Sequence, residues 1–313
     1  MPAAVSIAVP TPTVATTWRP RTPVDIAATL RPLRRGSTDP AFQLDADGAL
    51  WLTGRTPAGP ATLRLVTHPA GEVRARAWGP GAEWMLAGVP DLLRASDDPA
   101  GFRPRHPLLR DAHRRYPGLR VPRCRRVLDV LAPAVLEQKV TGAEARRSWR
   151  ELLRRFGEPA PGPTPAGMRV PPAAATWRRV PSWEWHRAGV DSHRSGAICA
   201  AAAVAGRLEE SVAMLPTEAE RRLRSVPGVG VWTAAEVAQR ALGDADAVSV
   251  GDFHLAPFVG WALAGRAVDD DGMLELLAPY RGHRYRAIRL LELSGFRMPR
   301  FGPRYAPRDL RAC

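Results

Sequence analysis

The stretch SVPGVGVWTAAEV, residues 225–237, puts Pro227, Gly228 and Gly230 around Val229 and then runs directly into a helix-forming segment. Glycines spaced this way suit a tight turn with positive φ, where a partner can approach the bare main chain. The first N–H groups of the following helix have no intrahelical acceptor and sit at the positive end of its dipole, so an anion is the natural guest. A helix–helix turn that binds nothing is the plain alternative. A dinucleotide site is excluded, because the third glycine of G-x-G-x-x-G is missing and a helix, not a strand, leads in. A hairpin between helices that grips nucleic-acid phosphates through its amides remains. Beyond it, Asp252 follows Val250-Gly251 and starts a helix continued by Phe253 and His254. Taken alone, an aspartate at such a boundary is a helix cap. His186, His193, His254 and His283 are dispersed and show no metal-ligand spacing, which predicts no metal site.

These residues need elements to hold them. Up to about residue 100 the signals are mostly β: FQLDADGALWLTGRT reads as two strands around the Asp47-Gly48 turn, and ATLRLVTH and VRARAWG flank a PAGE turn. Two helices interrupt them, Val24 to Leu33 and Ala82 to Leu93. From Leu108 onward the pattern is helical, with no sustained strand. Arg125 to Gln138 forms one helix despite Pro133. In TGAEARRSWRELLRRFG, Thr141 and Glu144 make a capping box, Trp149, Leu152, Leu153 and Phe156 share a face, and Gly157 stops the helix. The proline-rich EPAPGPTPAG reads as a linker, followed by helices at Trp183 to Arg187 and Ser192 to Leu208. Thr217 and Glu220 form a second capping box, and the helix after the hairpin runs from Val231 to Leu242, closed by Gly243. The expectation is an α+β protein: a small N-terminal α+β domain over residues 1–105, then an all-α body with a helix-hairpin-helix over 106–313.

Composition narrows the partner. The 313 residues carry 45 Lys+Arg against 31 Asp+Glu, a formal net charge of +14, with an isoelectric point near 11.1. Such a surplus suggests a polyanion, nucleic acid before membrane, since no basic amphipathic helix with a bulky apolar face stands out. Lys139 is the only lysine, a bias that a G- and C-rich genome produces without functional cause. Cys124, Cys199 and Cys313 lie far apart, which argues for a reduced cytoplasmic protein and against a zinc finger or an all-cysteine iron–sulfur cluster. MPAAVSIAVPTPTVATT lacks a basic leader and is broken by Pro10 and Pro12, which reads against a signal peptide, and no run spans a bilayer. RRVLDV and RRSWRELLRR read as ordinary solvated helix faces, whereas Arg281, His283 and Arg284, which follow the Asp252 segment, could approach a nucleic acid.

Leu223 to Val237 followed by Val250-Gly251-Asp252 resembles the HhH-GPD superfamily of DNA glycosylases, in which a hairpin, a Gly/Pro-rich loop and an essential aspartate occur in this order. VLEQKVTG at 135–142, in the place of the helix-turn carrying the DNA wedge, and the α+β N-terminal domain are similar to the 3-methyladenine DNA glycosylase II branch. The resemblance covers roughly residues 20–300 and implies a glycosylase without cofactor, acting as a monomer in the cytoplasm on nucleoid double-stranded DNA that contains a damaged base. It implies that Asp252 is catalytic: breaking a base–sugar bond builds positive charge on the sugar, and a nearby carboxylate stabilises it or helps activate water. Bifunctional members use a hairpin lysine as amine nucleophile. Trp232 fills that place here and Lys139 lies on another element, so the chain reads as monofunctional.

By the same resemblance Pro227, Gly228, Val229, Gly230 and Thr233 contact DNA, as do Gln138 and Lys139, with Lys139 as wedge or as phosphate contact. Trp232 and Phe253 are pocket walls for a flipped, cationic alkylated base, or ordinary core. Glu236 replaces an aromatic residue of relatives, so it either attracts a cationic base or marks a different one. The family's C-terminal pocket tryptophan has no counterpart in YRGHRYRAIRLLELSG, and the tryptophans of SWEW need not substitute for it. The competing class is a non-catalytic helix-hairpin-helix DNA-binding protein, which does not need Asp252.

Overall fold

The structure is a computed structural model that describes residues 13–299 except 70, 95, 96 and 98. Residues 1–12, which carry most of the segment read against a signal peptide, and Cys313 lie outside the described residues. An antiparallel sheet comprises β1 (Thr13–Trp18), β2 (Phe42–Leu44), β3 (Leu50–Thr56), β4 (Gly59–Thr67) and β5 (Val73–Trp78), in the order β1-β5-β4-β3-β2. Alternation sets its inner face: Leu50 pairs with Leu65, Leu52 with Leu63, and Leu63 with Ala77, all buried. The expected Asp47-Gly48 turn is present, with Gly48 at φ +80° and its N–H on Asp45 O at 3.0 Å. β1 is an addition to the sequence reading; it pairs along β5 from Thr13↔Trp78 to Trp18↔Val73.

The helices are α1 (Ile26–Leu30), α2 (Ala82–Ala87), α3 (Val89–Leu92), α4 (Pro107–Arg115), α5 (Val127–Leu136), α6 (Gly142–Phe156), α7 (Ala174–Trp177), α8 (Ser182–Arg187), α9 (Ser192–Ala203) and α10 (Ala205–Glu209), then α11 (Pro216–Arg224), α12 (Val231–Val237), α13 (Leu255–Ala264), α14 (Asp270–Leu277) and α15 (Arg284–Leu293). The capping box at Thr141 and Glu144 opens α6 as expected. Five expectations are corrected. The helix expected over Ala82 to Leu93 divides at Gly88, where Pro90 cannot donate to the preceding turn, and that over Ser192 to Leu208 divides at Val204. The EPAPGPTPAG segment is more than a linker: its first residues form β6 (Glu158–Pro159), paired with β7 (Arg169–Val170). Thr217 and Glu220 make no capping box, because Pro216 already starts α11 behind Leu215, and Glu220 instead pairs with Arg224 at 3.0 Å. RRVLDV is not a solvated face. Arg126 and Asp129 are buried against each other at 3.2 Å, and Glu209 takes the N–H groups of Val127 and Leu128 at 2.8 and 3.0 Å, capping α5.

One apolar core runs from the inner sheet face through α5, α6 and α9 to α12. A second is built by α4, α13, α14 and α15. The 243–254 segment crosses from one to the other: Val237 and Ala241 belong to the first, Val248, Ala256 and Val259 to the second. Asp252 stands on this crossing. Among the described residues, no helix is long and apolar enough to cross a membrane.

Candidate active site

The hairpin is the turn between α11 and α12. Val226 and Val229 are buried and pin it to the core, while Pro227 and Gly230 are exposed. Val229 spends its N–H inside the turn on Val226 O at 3.0 Å; among the described residues, the N–H groups of Gly228 and Gly230 meet no acceptor. The two glycines have different reasons. Gly228 lies at φ +82°, and a Cβ there would come within 2.6 Å of Ala197 Cβ, so both backbone and packing demand glycine. Gly230 is at φ −90° with open space where a Cβ would stand. Its lack of a side chain serves nothing inside the protein; it leaves the main chain open to an approaching partner.

Asp252 both caps and faces the hairpin helix. Its Oδ1 accepts the N–H groups of His254 and Leu255 at 2.8 and 3.0 Å, and its Oδ2 accepts the Trp232 indole N–H at 3.0 Å. Those cap bonds hold Phe253 and His254 in a turn, so α13 begins at Leu255, later than expected. Gly251, at φ +86°, donates its N–H to Asp270 at 2.9 Å and fixes the loop from the α14 side. Trp232 is half-buried. Phe253 is 77 % exposed and leans edge-on against His254, so in the free protein it presents its surface to solvent.

Glu236 has both carboxylate oxygens engaged: Ser249 Oγ donates to Oε1 at 2.7 Å and Arg240 reaches Oε2 at 2.8 Å. Burial pushes its carboxyl up, against the pull of Arg240. Burial likewise disfavours the Arg240 charge, but Glu236 overrides this and the guanidinium is raised. Gln239 adds bonds to Ser249 Oγ and Ala247 O at 2.9 and 3.1 Å. Glu236 therefore braces the segment carrying Asp252. Ser249, Gln239, Arg240 and Asp270 belong to no sequence motif, and only the folded contacts join them to the site.

Gln138 turns its amide to the hairpin, donating from Nε2 to Gly228 O at 2.9 Å and Thr233 Oγ1 at 2.8 Å. Thr233 is buried, so it is an internal partner in the free protein. Lys139 is exposed, at φ +55°. Arg284 is tied to Asp246 by its N, Nε and Nη2 at 3.0, 2.9 and 2.7 Å, whereas Arg281 is exposed. A small cavity of about 40 Å³ lies elsewhere, between the sheet and α5, lined by Arg35, Asp39, Asp129 and Trp149. Asp252 is instead half-buried, between the exposed Gly251 and Phe253.

No protein-family model matches this sequence, and no curated protein does. Solved structures do. A 3-methyladenine DNA glycosylase from Archaeoglobus fulgidus superposes with TM-score 0.72 over 90 % of this chain and 98 % of its own, at 16 % identity. The 8-oxoguanine glycosylase/lyase of Clostridium acetobutylicum, in its apo form, gives 0.69 over 92 % and 99 %, at 11 % identity. MBOgg1 in complex with a low-affinity DNA ligand gives 0.68 over 90 % and 95 %, at 14 % identity. The chain has the glycosylase fold. On that fold, this sequence joins the hairpin helix to Asp252 through Trp232 and joins the 137–140 loop to the hairpin through Gln138.

Proposed function

We propose that this protein is a monofunctional DNA glycosylase that flips an alkylated base out of duplex DNA and hydrolyses its N-glycosidic bond. The observation that carries the reading is the 3.0 Å bond between Trp232 Nε1 and Asp252 Oδ2. It fixes a carboxylate beside an exposed turn with two free amides, the pair needed to hold a backbone phosphate and face the sugar it belongs to. As the C1′–N bond lengthens, the electron pair leaves with the base and positive charge grows on the sugar. Asp252 stabilises that charge, and water adds to C1′ and gives up one proton to solvent, leaving an abasic strand. With Trp232 in the lysine's place, the hairpin offers no amine for a Schiff base. Trp232 and the exposed Phe253 supply aromatic faces on which a cationic base can stack. Residues 1–105 and 106–313 are the two domains in this reading, and the enzyme acts as a monomer in the cytoplasm.

Oxidised bases are the second reading, because the 8-oxoguanine glycosylase/lyase of Clostridium acetobutylicum shares the fold. Excision of methylated, deaminated and oxidised bases from duplex DNA separates the two. The expected product is an intact abasic strand from methylated purines, and borohydride trapping of a covalent protein–DNA adduct would contradict hydrolysis. Asp252→Asn is expected to abolish excision while keeping affinity for abasic DNA within about tenfold, since the carboxylate acts on the transition state and asparagine still caps α13. Full excision in that variant would remove Asp252 from the chemistry, whereas a wild-type protein that binds duplex DNA but excises no base would leave the DNA-binding alternative.

A further inference from the structure

Lys139 is exposed in a backbone conformation that L side chains avoid, φ +55°. Such strain persists only where the surroundings over-determine it. Here it is clamped on both sides. Before it, Leu136 O accepts from Arg194 Nη1 at 3.0 Å; Arg194 is almost fully buried and also reaches Gly189 O at 3.0 Å and Asp191 at 2.7 Å. After it, Thr141 N–H is held by Glu144 at 2.7 Å in the capping box of α6. The remaining clamp is Gln138, the residue next to Lys139, whose single Nε2 spans to the turn carbonyl of Gly228 and to Thr233 in α12. Both of its protons are used there, so the amide is committed to the hairpin rather than offered to solvent.

We propose that Gln138 is a positioning residue that locks the Lys139 loop to the hairpin, so that a duplex gripped at Gly228 and Gly230 meets Lys139 at one fixed place. This rests on the glycosylase reading for its purpose, but not for its mechanics. A phosphate at the hairpin and a side chain entering the duplex must keep a constant separation if flipping is to be coupled to binding, and a hydrogen bond to the turn's own carbonyl is the shortest link that does this.

The sequence supplies an unusual probe. Because Lys139 is the only lysine, a lysine-specific protease cuts the native chain at one bond, and the cutting rate reports how often this loop opens. Gln138→Glu keeps the length but removes both donors; Gln138→Ala removes the side chain. Both are expected to raise the cutting rate at least tenfold with a melting temperature within a few degrees of wild type. Both should also reduce flipping of a fluorescent base, and Gln138→Ala, which adds no charge, should keep affinity for undamaged duplex and its salt dependence within twofold. A double-mutant cycle with Lys139→Ala should be non-additive in flipping.

Unchanged cutting in Gln138→Glu and Gln138→Ala overturns the lock. Uniformly weaker duplex binding with a flatter salt slope in Gln138→Ala overturns it too, since that would make Gln138 a phosphate contact. If the cutting rate rises as expected but the wild-type protein excises no base, the lock stands and the glycosylase reading falls. The two failures are therefore distinguishable.

Discussion

Asp252 divides its carboxylate between two tasks, one oxygen holding the start of α13 and the other held by Trp232. Trp232 thus contributes an N–H as well as a ring face, and the two contributions separate in one substitution. Trp232→Phe keeps an aromatic surface but leaves Oδ2 without its donor. A hydrogen bond to a charged group contributes about 1.5–3 kcal/mol, so the single-turnover excision rate should fall roughly 10- to 100-fold. Affinity for abasic DNA should change little. A rate equal to wild type would mean that the ring is only a wall. Glu236 shows the same economy. Its charge is matched by Arg240 and its second oxygen by Ser249, so Glu236→Gln is expected to loosen the 247–252 segment and lower activity without changing which base is preferred, as read by relative excision rates across lesions.

At the scale of elements, the hairpin makes a sharp contrast between two glycines three atoms of turn apart. Gly228→Val forces φ +82° on a β-branched residue and drives its Cβ into Ala197, so it should destabilise the protein by several kcal/mol, with strain and overpacking both contributing. Gly230→Val meets neither obstacle. It should leave the melting temperature nearly unchanged and weaken binding to every duplex, seen as a lower affinity and a salt slope reduced by about 1. Duplex affinity untouched by Gly230→Val would remove the hairpin from the interface. This element was legible in the sequence because glycine and proline encode backbone conformation locally, and so were the β2–β3 and β4–β5 hairpins and the α6 capping box. What was hidden depends on partners far along the chain. β1 is a short edge strand whose partner is β5, some 60 residues later; Arg126 looks like a surface charge until Asp129 and Met85 enclose it; Glu236 looks like a pocket residue until Ser249 reaches it. Thr217 failed as a cap for a local reason, the adjoining proline.

At the scale of the whole molecule, the net charge of +14 overstates what the surface offers a polyanion, because Arg35, Arg120, Arg126, Arg194, Arg286 and Arg289 are buried. Several of them stitch the N-terminal residues to the helical body: Arg35 to Glu137 at 3.0 Å, Arg286 to Asp97 at 2.7 Å, and Arg289 to Ala28 O at 3.2 Å. Arginine suits this work, since its planar fork satisfies several acceptors at once.

Asp246 and Arg284 stitch the other seam, holding the segment that crosses between the two cores to the start of α15, with Tyr285 N–H on Ala245 O at 2.9 Å alongside. Burial would raise the Asp246 carboxyl, but the side-chain and backbone bonds from Arg284 outweigh it and the net direction is down. A carboxylate lowered on folding adds stability that is complete above its ordinary value, about 3.9, and is lost as pH falls through the depressed folded value. Because the pair is partly exposed, the gain is discounted to about 1 kcal/mol at neutral pH. Asp246→Asn should therefore unfold in less urea than wild type at pH 7 and at pH 5 by the same margin. Below pH 4 the margin should shrink towards zero as the wild-type carboxyl takes up its proton. Carboxylates common to both proteins cancel in this difference, so a margin that stays constant down to pH 2 would show that the Asp246 charge does not hold the seam.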